Sequence, residues 1–383
     1  MDRIYLDHAG TTPVTPSVLQ AMLPYFSECY GNASSIHSTG RDARKAVENA
    51  RRQVQHALGS ASAQEIYFTS GGTESDNWAI KGGALASSAR GRHIVTSAIE
   101  HHAVLHTCQW LEKQGWEVTY LPVDAEGFVS PGDLQKAMRK DTALVSIMMA
   151  NNEIGTIEPI AELAEIAHAD GALFHTDAVQ AVGAIPVDVQ SLGVDLHSLS
   201  AHKFGGPKGM GALYIKKGTV MERLLHGGEQ ERHLRAGTEN LPGIVGLGEA
   251  LREATDEMEE KALRVSGLRD RLQAGILEKV DRVLVNGPQT HRLPGHLNLS
   301  FLGIQGEALL LRMDLAGIAA SAGSACTAGS LDPSHVLMAI GRDRDTAHAS
   351  LRMTVGRENT QEEIDEVLRI LPEIVEDLRR MRL

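Results

Sequence analysis

The sequence predicts an α/β protein, with a large domain on a mostly parallel sheet and a smaller α+β domain after it. Three observations carry this. Between about residue 60 and residue 220, short β-type runs alternate with helical ones. A long, charge-rich helical stretch follows, and beyond it the pattern changes to a few strands and amphipathic helices. The 383 residues also exceed the roughly 250–300 at which a single core stops growing.

Taken in order, "EIYFTS" reads as a strand leading into the helical "ESDNWAIKGGALA", and "RHIVTS" leads into "HHAVLHTCQWLEKQG". "WEVTYLPV", "DLQKAMRK", "ALVSIMMA" and "IAELAEIAHAD" continue the alternation, followed by "ALFHTDA", "DLHSLSAHK" and "GALYIKK". Repeated strand–helix–strand units imply right-handed crossovers and a sheet covered on both faces. Residues 240–280 read as one long helical stretch suited to linking two domains. "RVLVNGP", "HLNLSFLG", "GEALLLRMDLAG" and "LRMTVG" then make up the smaller domain. Its last helix opens with a capping box, Thr360 with Glu363, and buries Ile364, Val367, Leu368, Leu371, Ile374 and Val375 on one face.

Composition excludes several classes. A net charge of −12 and a pI near 5.8 argue against a nucleic-acid partner. The most basic segment, "RDARKAVENARR", has Arg44, Lys45 and Glu48 at helical spacing beside Arg51 and Arg52, and reads as a solvated helix face. No apolar run approaches the roughly 18 residues of a membrane span. The opening "MDRIYLDHAG" lacks the pattern of a secretory signal. Cys29, Cys108 and Cys326 are too widely spaced for a disulfide framework or a zinc site, so a reducing, cytoplasmic compartment is expected.

In doubly wound sheets, ligands bind beyond the carboxyl ends of the strands, and the chemistry-bearing residues fall there. Ser70, Gly71, Gly72 and Thr73 form either an anion nest at a helix N-terminus or an ordinary turn capped by Thr73. Lys203, next to His202 and before Gly205, Gly206 and Pro207, is either a surface lysine or a desolvated Schiff-base former. Asp177 is either a helix cap or a carboxylate for a ring nitrogen, and His101 or His102 either structural or a stacking imidazole. Together these supply what pyridoxal 5′-phosphate requires, including a lysine anchor and an aspartate on the pyridine nitrogen.

With "TSGGTESDN", "EHHAVLHTC", "NNEIGT", "HTDAVQAVG", "SAHKFGGPKG", "RAGTEN" and "GSACT" in family order, the chain resembles the cysteine desulfurases of the class V aminotransferase superfamily. The likeness is to the nitrogenase-associated and housekeeping iron–sulfur type with the long cysteine loop. It implies the aspartate aminotransferase-like fold of PLP-dependent transferases. A large domain over 16–260 and a small one from 1–15 and 261–383 are expected, the latter carrying a cysteine loop at about 321–333.

The resemblance implies Lys203 as covalent anchor of the cofactor, Asp177 on its ring nitrogen and Gln180 on its ring hydroxyl. It implies that His101 stacks on the ring and shuttles a proton, and that Gly72, Thr73, Ser200 and His202 hold the phosphate. Asn152 lies against cofactor and substrate, and Arg352 grips the substrate carboxylate. Thr238 reaches the phosphate of a neighbouring subunit, which makes a homodimer. Cys326 is the implied nucleophile. It attacks the sulfur of L-cysteine, leaving L-alanine and a persulfide for a protein acceptor such as an iron–sulfur scaffold. No resident metal is implied, and transient ligation of an iron–sulfur cluster by Cys326 stays open. Cys29 and Cys108 read as buried small hydrophobes. The alternative is another PLP-dependent aminotransferase or lyase of the same fold in which Cys326 is incidental; a non-catalytic interaction protein is a more distant rival. The chain departs from the pattern of the family it resembles at Gly10-Thr11-Thr12-Pro13, where that family usually has "ATTP", and at Asn32-Ala33-Ser34-Ser35, where it has "NPAS". The last helix ends close to Leu383, which bears on acceptor docking.

Overall fold

The computed structural model describes residues 3–256, 258–322 and 332–381. The first strand, β1 (Ile4–Tyr5), was not foreseen from the sequence. The large sheet follows, built from β2 (Ile66–Thr69), β3 (His93–Ser97), β4 (Glu117–Leu121), β5 (Thr142–Ser146), β6 (Leu173–Asp177), β7 (Leu196–Ser200) and β8 (Gly211–Ile215). Their spatial order is β2-β8-β7-β6-β5-β3-β4. Only β8 runs against its neighbours; the pairs from β7 to β4 are all parallel. Five of the seven strands are buried throughout, as expected of a sheet covered on both faces.

The period of two decides which face each side chain joins. Phe68, Val95, Val145 and Phe174 face the helices Ser38–Ala57 and Leu241–Thr255. Tyr67, Ile94, Leu144 and Leu196 face the helices Gly72–Ala86 and His102–Glu112, with Trp78 and Cys108 fully buried between.

The second core belongs to an antiparallel sheet of β9 (Val283–Asn286), β10 (His296–Phe301) and β12 (Ser350–Thr354), ordered β12-β10-β9. Between them in sequence, β11 (Ile318–Ala319) pairs in parallel with β1, which brings Ile4 and Leu6 into this core. Helices Met258–Lys279, Gly306–Leu315 and Gln361–Met381 complete it. The capping box forms as expected: Glu363 N–H donates to Thr360 Oγ1 (3.3 Å) and Thr360 N–H to Glu363 Oε2 (3.1 Å). The six apolar positions read from the sequence are the ones buried.

Three expectations are corrected. The stretch over 240–280 is two helices, because Asp256 is extended (φ −65°, ψ 130°). Lys261 Nζ holds the break by donating to the carbonyls of Glu253 (2.9 Å) and Asp256 (2.7 Å). Arg51 is not on a solvated face but 3% exposed, because Glu231 from a distant turn neutralises it with both oxygens (2.7 and 2.8 Å). Cys29 is exposed, lying just beyond the short helix Pro24–Ser27, which buries none of its own residues; Cys108 is buried as expected.

Candidate active site

Ten of the residues singled out in the sequence line one cavity of about 550 Å³ at the carboxyl ends of the parallel strands: Gly72, Thr73, His101, Asn152, Asp177, Gln180, Ser200, His202, Lys203 and Arg352. Thr238 is exposed and does not line this cavity. Cys326 lies outside the described residues, as does most of the expected loop, but Ser321 at its start is on the cavity wall.

Each group is placed by where its strand stops. After β2 the backbone turns through Gly71 (φ +149°) into the helix Gly72–Ala86, whose N-cap has no side chain to satisfy the first turn. Glu74 compensates from inside: it accepts Ser70 N–H (2.7 Å) and is forked by Arg235 (2.8 and 3.0 Å). Burial works against its charge, yet these hydrogen bonds outweigh burial and hold the carboxyl below its usual range. The N–H groups of the first turn are thereby left for an anion, with Ser200 at the end of β7 and His202 beyond it on the same wall. A Cβ at Gly72 would lie 2.6 Å from Val179 Cγ2, so the turn accepts no side chain there.

Asp177 ends β6 and accepts Val179 N–H (2.9 Å); burial pushes its carboxyl up to about 6, against the pull of Lys203. Asp76, one helical turn beyond Gly72, faces it. Burial and then the Asp177 charge push Asp76 well above its usual range, and its Oδ1 has no hydrogen-bond partner. Below Asp76 is His175, 3.6 Å from Oδ1, kept neutral by burial at about 3. His101 is the N-cap of the helix His102–Glu112, where Nδ1 accepts Ala103 N–H (3.2 Å), so the proton of the neutral ring sits on Nε2. Burial and then the nearby Lys203 charge lower it to about 4. The donor atoms of Asp76, His101 and Asp177 lie within 4.8 Å of one another, converging on one point of the cavity.

Lys203 follows a short 3₁₀ turn after β7, and its Nζ donates to the carbonyls of Ala9 (2.5 Å) and Gly10 (2.9 Å). Gln180 Nε2 donates to the same Ala9 carbonyl (3.0 Å). Arg352 on β12 is 2% exposed. It is held by Asp7 (2.7 Å) and the Asn152 carbonyl (3.1 Å), while its Nε has no partner. Ser321 pairs with the Arg352 backbone in both directions (2.7 and 3.1 Å), which fixes the start of the cysteine-bearing segment to the strand that carries this arginine.

Sequence reasoning missed Asp7, Ala9, Glu74 and Asp76. Asp76 was within reach, because a spacing of four puts it on the same helix face as Gly72. Glu74 was also available, as an acid at the third position of a helix with a glycine cap. Asp7 and Ala9 were not: the pairing of β1 with β11 and the bridge from Asp7 to Thr354 bring the N-terminal segment across the site.

The class of the protein follows from this arrangement and from its relatives. The aminotransferase class-V pattern matches residues 4–367, and the chain belongs to that family, within it to the cysteine desulfurases. It is 57% identical to a cysteine desulfurase IscS of Methanosarcina thermophila, over 99% of this chain and 93% of that one. It is 55% identical to one of Dictyoglomus turgidum, over 98% and 95%. Among solved structures, a NifS-like protein superposes with a TM-score of 0.93 at 42% identity, covering 98% of this chain and all of that one. A structure described as SspA in complex with cysteine gives 0.82 at 35%, covering 93% and 100%. No helix is long and apolar enough to cross a membrane among the described residues.

The cofactor of this family is pyridoxal 5′-phosphate, and the residues present fit it. The glycine turn leaves an uncapped helix end for the phosphate, the buried carboxyl pair with its unpartnered Asp76 Oδ1 suits a cationic ring nitrogen, and Lys203 brings an amine to the same cavity.

Proposed function

We propose that the protein converts L-cysteine to L-alanine and leaves the sulfur as a persulfide on Cys326. One C–S bond breaks and one S–S bond forms, and the thiol proton ends on the products, so no external oxidant is needed. The bound cofactor supplies an electron sink for charge developing at the substrate Cα.

The chain's own residues do the rest. Lys203 Nζ would hold the cofactor, and its amine is the group placed to carry the substrate Cα proton. Asp177 keeps its charge opposite the ring nitrogen, where a cation favours the carboxylate over the protonated form that burial alone supports. Gln180 would meet the ring hydroxyl and His101 the ring itself, while Gly72, Thr73, Ser200 and His202 would hold the phosphate. An ordinary thiol at about 8.5 is mostly protonated at pH 7, so Cys326 needs a proton acceptor. The expected shuttle, His101, serves only once its ring leaves Ala103 N–H, since Nε2 already carries the proton and burial holds the ring to about 4. Arg352, with Nε unpartnered, orients the substrate carboxylate beside Asn152. Thr238 completes the phosphate site of a second subunit in a homodimer. The persulfide passes to a protein acceptor, in the cytoplasm, for iron–sulfur cluster assembly or another sulfur-containing product. Two bodies, 16–260 and 1–15 with 261–383, divide the labour between cofactor and cysteine; the separate apolar cores support that division.

The observation that carries the reading is the gathering of ten expected residues, from six separate segments, around a cavity whose wall includes Ser321. The test is peptide mass analysis after brief incubation with L-cysteine and no reductant. One added sulfur on the Cys326 peptide, with alanine released in equal amount, is expected. Bound cofactor with an unmodified Cys326 overturns it and points to a lyase or aminotransferase of this fold.

A further inference from the structure

Arg352 is not presented bare to the cavity. Asp7, from the opposite end of the chain, reaches it with one carboxylate oxygen: Arg352 Nη2 donates to Asp7 Oδ1 (2.7 Å). Both side chains line the cavity at the carboxyl ends of the strands, as do Asn152 and Ser321. The desulfurase reading gives Arg352 a substrate carboxylate to hold and leaves Asp7 without a task.

The backbone builds this contact. Thr354 N–H donates to the Leu6 carbonyl (2.7 Å) and Ala9 N–H to Thr354 Oγ1 (2.8 Å), so that Asp7 is bridged in parallel to Thr354. Thr354 and Arg352 are two apart on β12 and share a face, which sets Asp7 beside the arginine. The Asp7 carbonyl accepts Gly10 N–H (2.9 Å) and the Tyr5 hydroxyl (3.1 Å), closing a turn over the carboxyl. Gly10 makes the seat. A Cβ there would lie 2.5 Å from Asp7 Oδ2 and 3.0 Å from its Cγ, so any other residue pushes the carboxyl away.

A guanidinium carries five N–H donors. Arg352 gives one to Asp7 and one to the Asn152 carbonyl (3.1 Å), and its Nε is buried with no partner. A second carboxylate therefore finds donors to use, but it enters beside a carboxylate already in place. Like charges on one cation weaken each other's hold, and screening is incomplete here, since the Asp7 side chain is only 22% exposed. Without that counter-charge the arginine would grip substrate and product alike, and product has to leave in every turnover.

We propose that Asp7, seated on Gly10, is a positioning residue that fixes the Arg352 fork and partly neutralises it, so that α-amino acids bind weakly enough to exchange. This rests on the reading that Arg352 orients the substrate carboxylate. The effect belongs to binding and release, because Asp7 acts on the substrate only through Arg352.

The test uses holoenzyme carrying Asp7→Asn, which keeps the shape and an acceptor and removes the charge. L-alanine is titrated in and followed by the absorbance of the bound cofactor, beside steady-state kinetics with L-cysteine. Kd for L-alanine and KM for L-cysteine should fall together by about tenfold, a value between an unscreened and a fully screened charge pair at this range. kcat should not rise. Gly10→Ala, which displaces the carboxyl and leaves the net charge alone, should lower Kd for L-alanine as well, so the proposal stays testable if the first variant folds poorly. Thermal unfolding checks folding, and L-alanine should raise the midpoint more in Asp7→Asn than in the unchanged protein. Constants that rise or stay put in Asp7→Asn, while Arg352→Ala still weakens L-alanine binding, overturn the proposal alone. L-alanine binding indifferent to both changes overturns the placement of the carboxylate on Arg352, and the proposal with it.

Discussion

Two arginines, Arg51 and Arg352, are almost equally buried, and their surroundings differ in what they leave over. Arg51, on the helix Ser38–Ala57, gives Nη1 and Nη2 to Glu231, Nη1 also to the Ile66 carbonyl (2.7 Å), and Nε to Glu48 (3.1 Å). Glu231 in turn accepts Phe68 N–H (3.0 Å), so both members are saturated. Arg352 has a single oxygen of Asp7 and one carbonyl, and keeps Nε open. On the same cavity wall Asp76 Oδ1 is open as well. A closed pair holds distant segments together. An open one holds its charge ready for something the chain does not contain, which is a reason to expect the largest functional effects at Arg352 and the largest structural ones at Arg51.

The sharpest test replaces Arg352. Arg352→Ala should lower kcat/KM for L-cysteine by roughly 10³, about 4 kcal/mol, with the loss weighted toward KM. Its unfolding midpoint should move much less, because Asp7 is partly exposed and water replaces its partner. Arg352→Lys should recover little, since a point charge does not reproduce a planar fork. Steady-state kinetics beside urea unfolding separates these outcomes. A large fall in stability with unchanged KM would erase the distinction from Arg51.

The converse change is Glu231→Gln. It leaves the buried Arg51 charge with only the half-exposed Glu48 as a counter-ion, and loss of a buried partner of this kind costs about 3 kcal/mol in stability. Urea unfolding should show it, with kcat/KM of cofactor-saturated enzyme little changed. The double variant Arg51→Met, Glu231→Met should recover much of the loss but not all, since the Phe68 N–H and the Ile66 carbonyl then lack their partners.

The contrast also shows what the sequence could convey. Strand order along the chain, the strand-end positions of Asp177 and Lys203, and the last helix with its cap depend on local spacing, and all were legible. Arg51 was misread because nothing near it in sequence announces Glu231, 180 positions away. The break at Asp256 was invisible for a related reason: it depends on Lys261 reaching back to two carbonyls rather than on a proline or glycine. Asp7 was missed because β1 has only two residues and its partner β11 lies at the far end of the chain.

A third test concerns three buried acids, Glu100, Glu153 and Glu158. Burial raises Glu100 and Glu158 to about 8 and Glu153 to about 7. A raised carboxyl keeps in the folded state a proton that the unfolded chain releases near 4.5, so stability falls as pH rises from about 4.5 to 8. The buried histidines act in the other direction. His175, His197 and His296 are pushed by burial to about 3, 4 and 3, so stability rises as pH climbs toward 6.5. The two sets nearly cancel between about pH 4.5 and 6.5, so a broad maximum near pH 5 to 6 with a decline above it is expected in urea unfolding. Glu100→Gln should remove about 2–3 kcal/mol of the decline between pH 6 and 8, at about 1.4 kcal/mol per pH unit. An unchanged alkaline limb would show that Glu100 is already ionised in the folded protein.

The smallest effect is expected at Glu74, which is saturated like Glu231 but serves the open site. Its two oxygens are taken by Ser70 N–H and the Arg235 fork, and this spares the first-turn N–H groups of the helix Gly72–Ala86 for the phosphate. Glu74→Gln keeps the shape and one acceptor but loses the charge opposite Arg235. Cofactor affinity, followed by absorbance during dialysis, should fall about tenfold, or about 1.4 kcal/mol, the scale of a lost helix-terminal carboxylate contact. KM for L-cysteine at saturating cofactor should be unaffected, because Glu74 touches the turn and not the substrate pocket. A change in KM with unaltered cofactor retention would mean that Arg235, once released, reaches the substrate side. The division between closed structural pairs and open catalytic ones would then be less sharp than Arg51 and Arg352 make it.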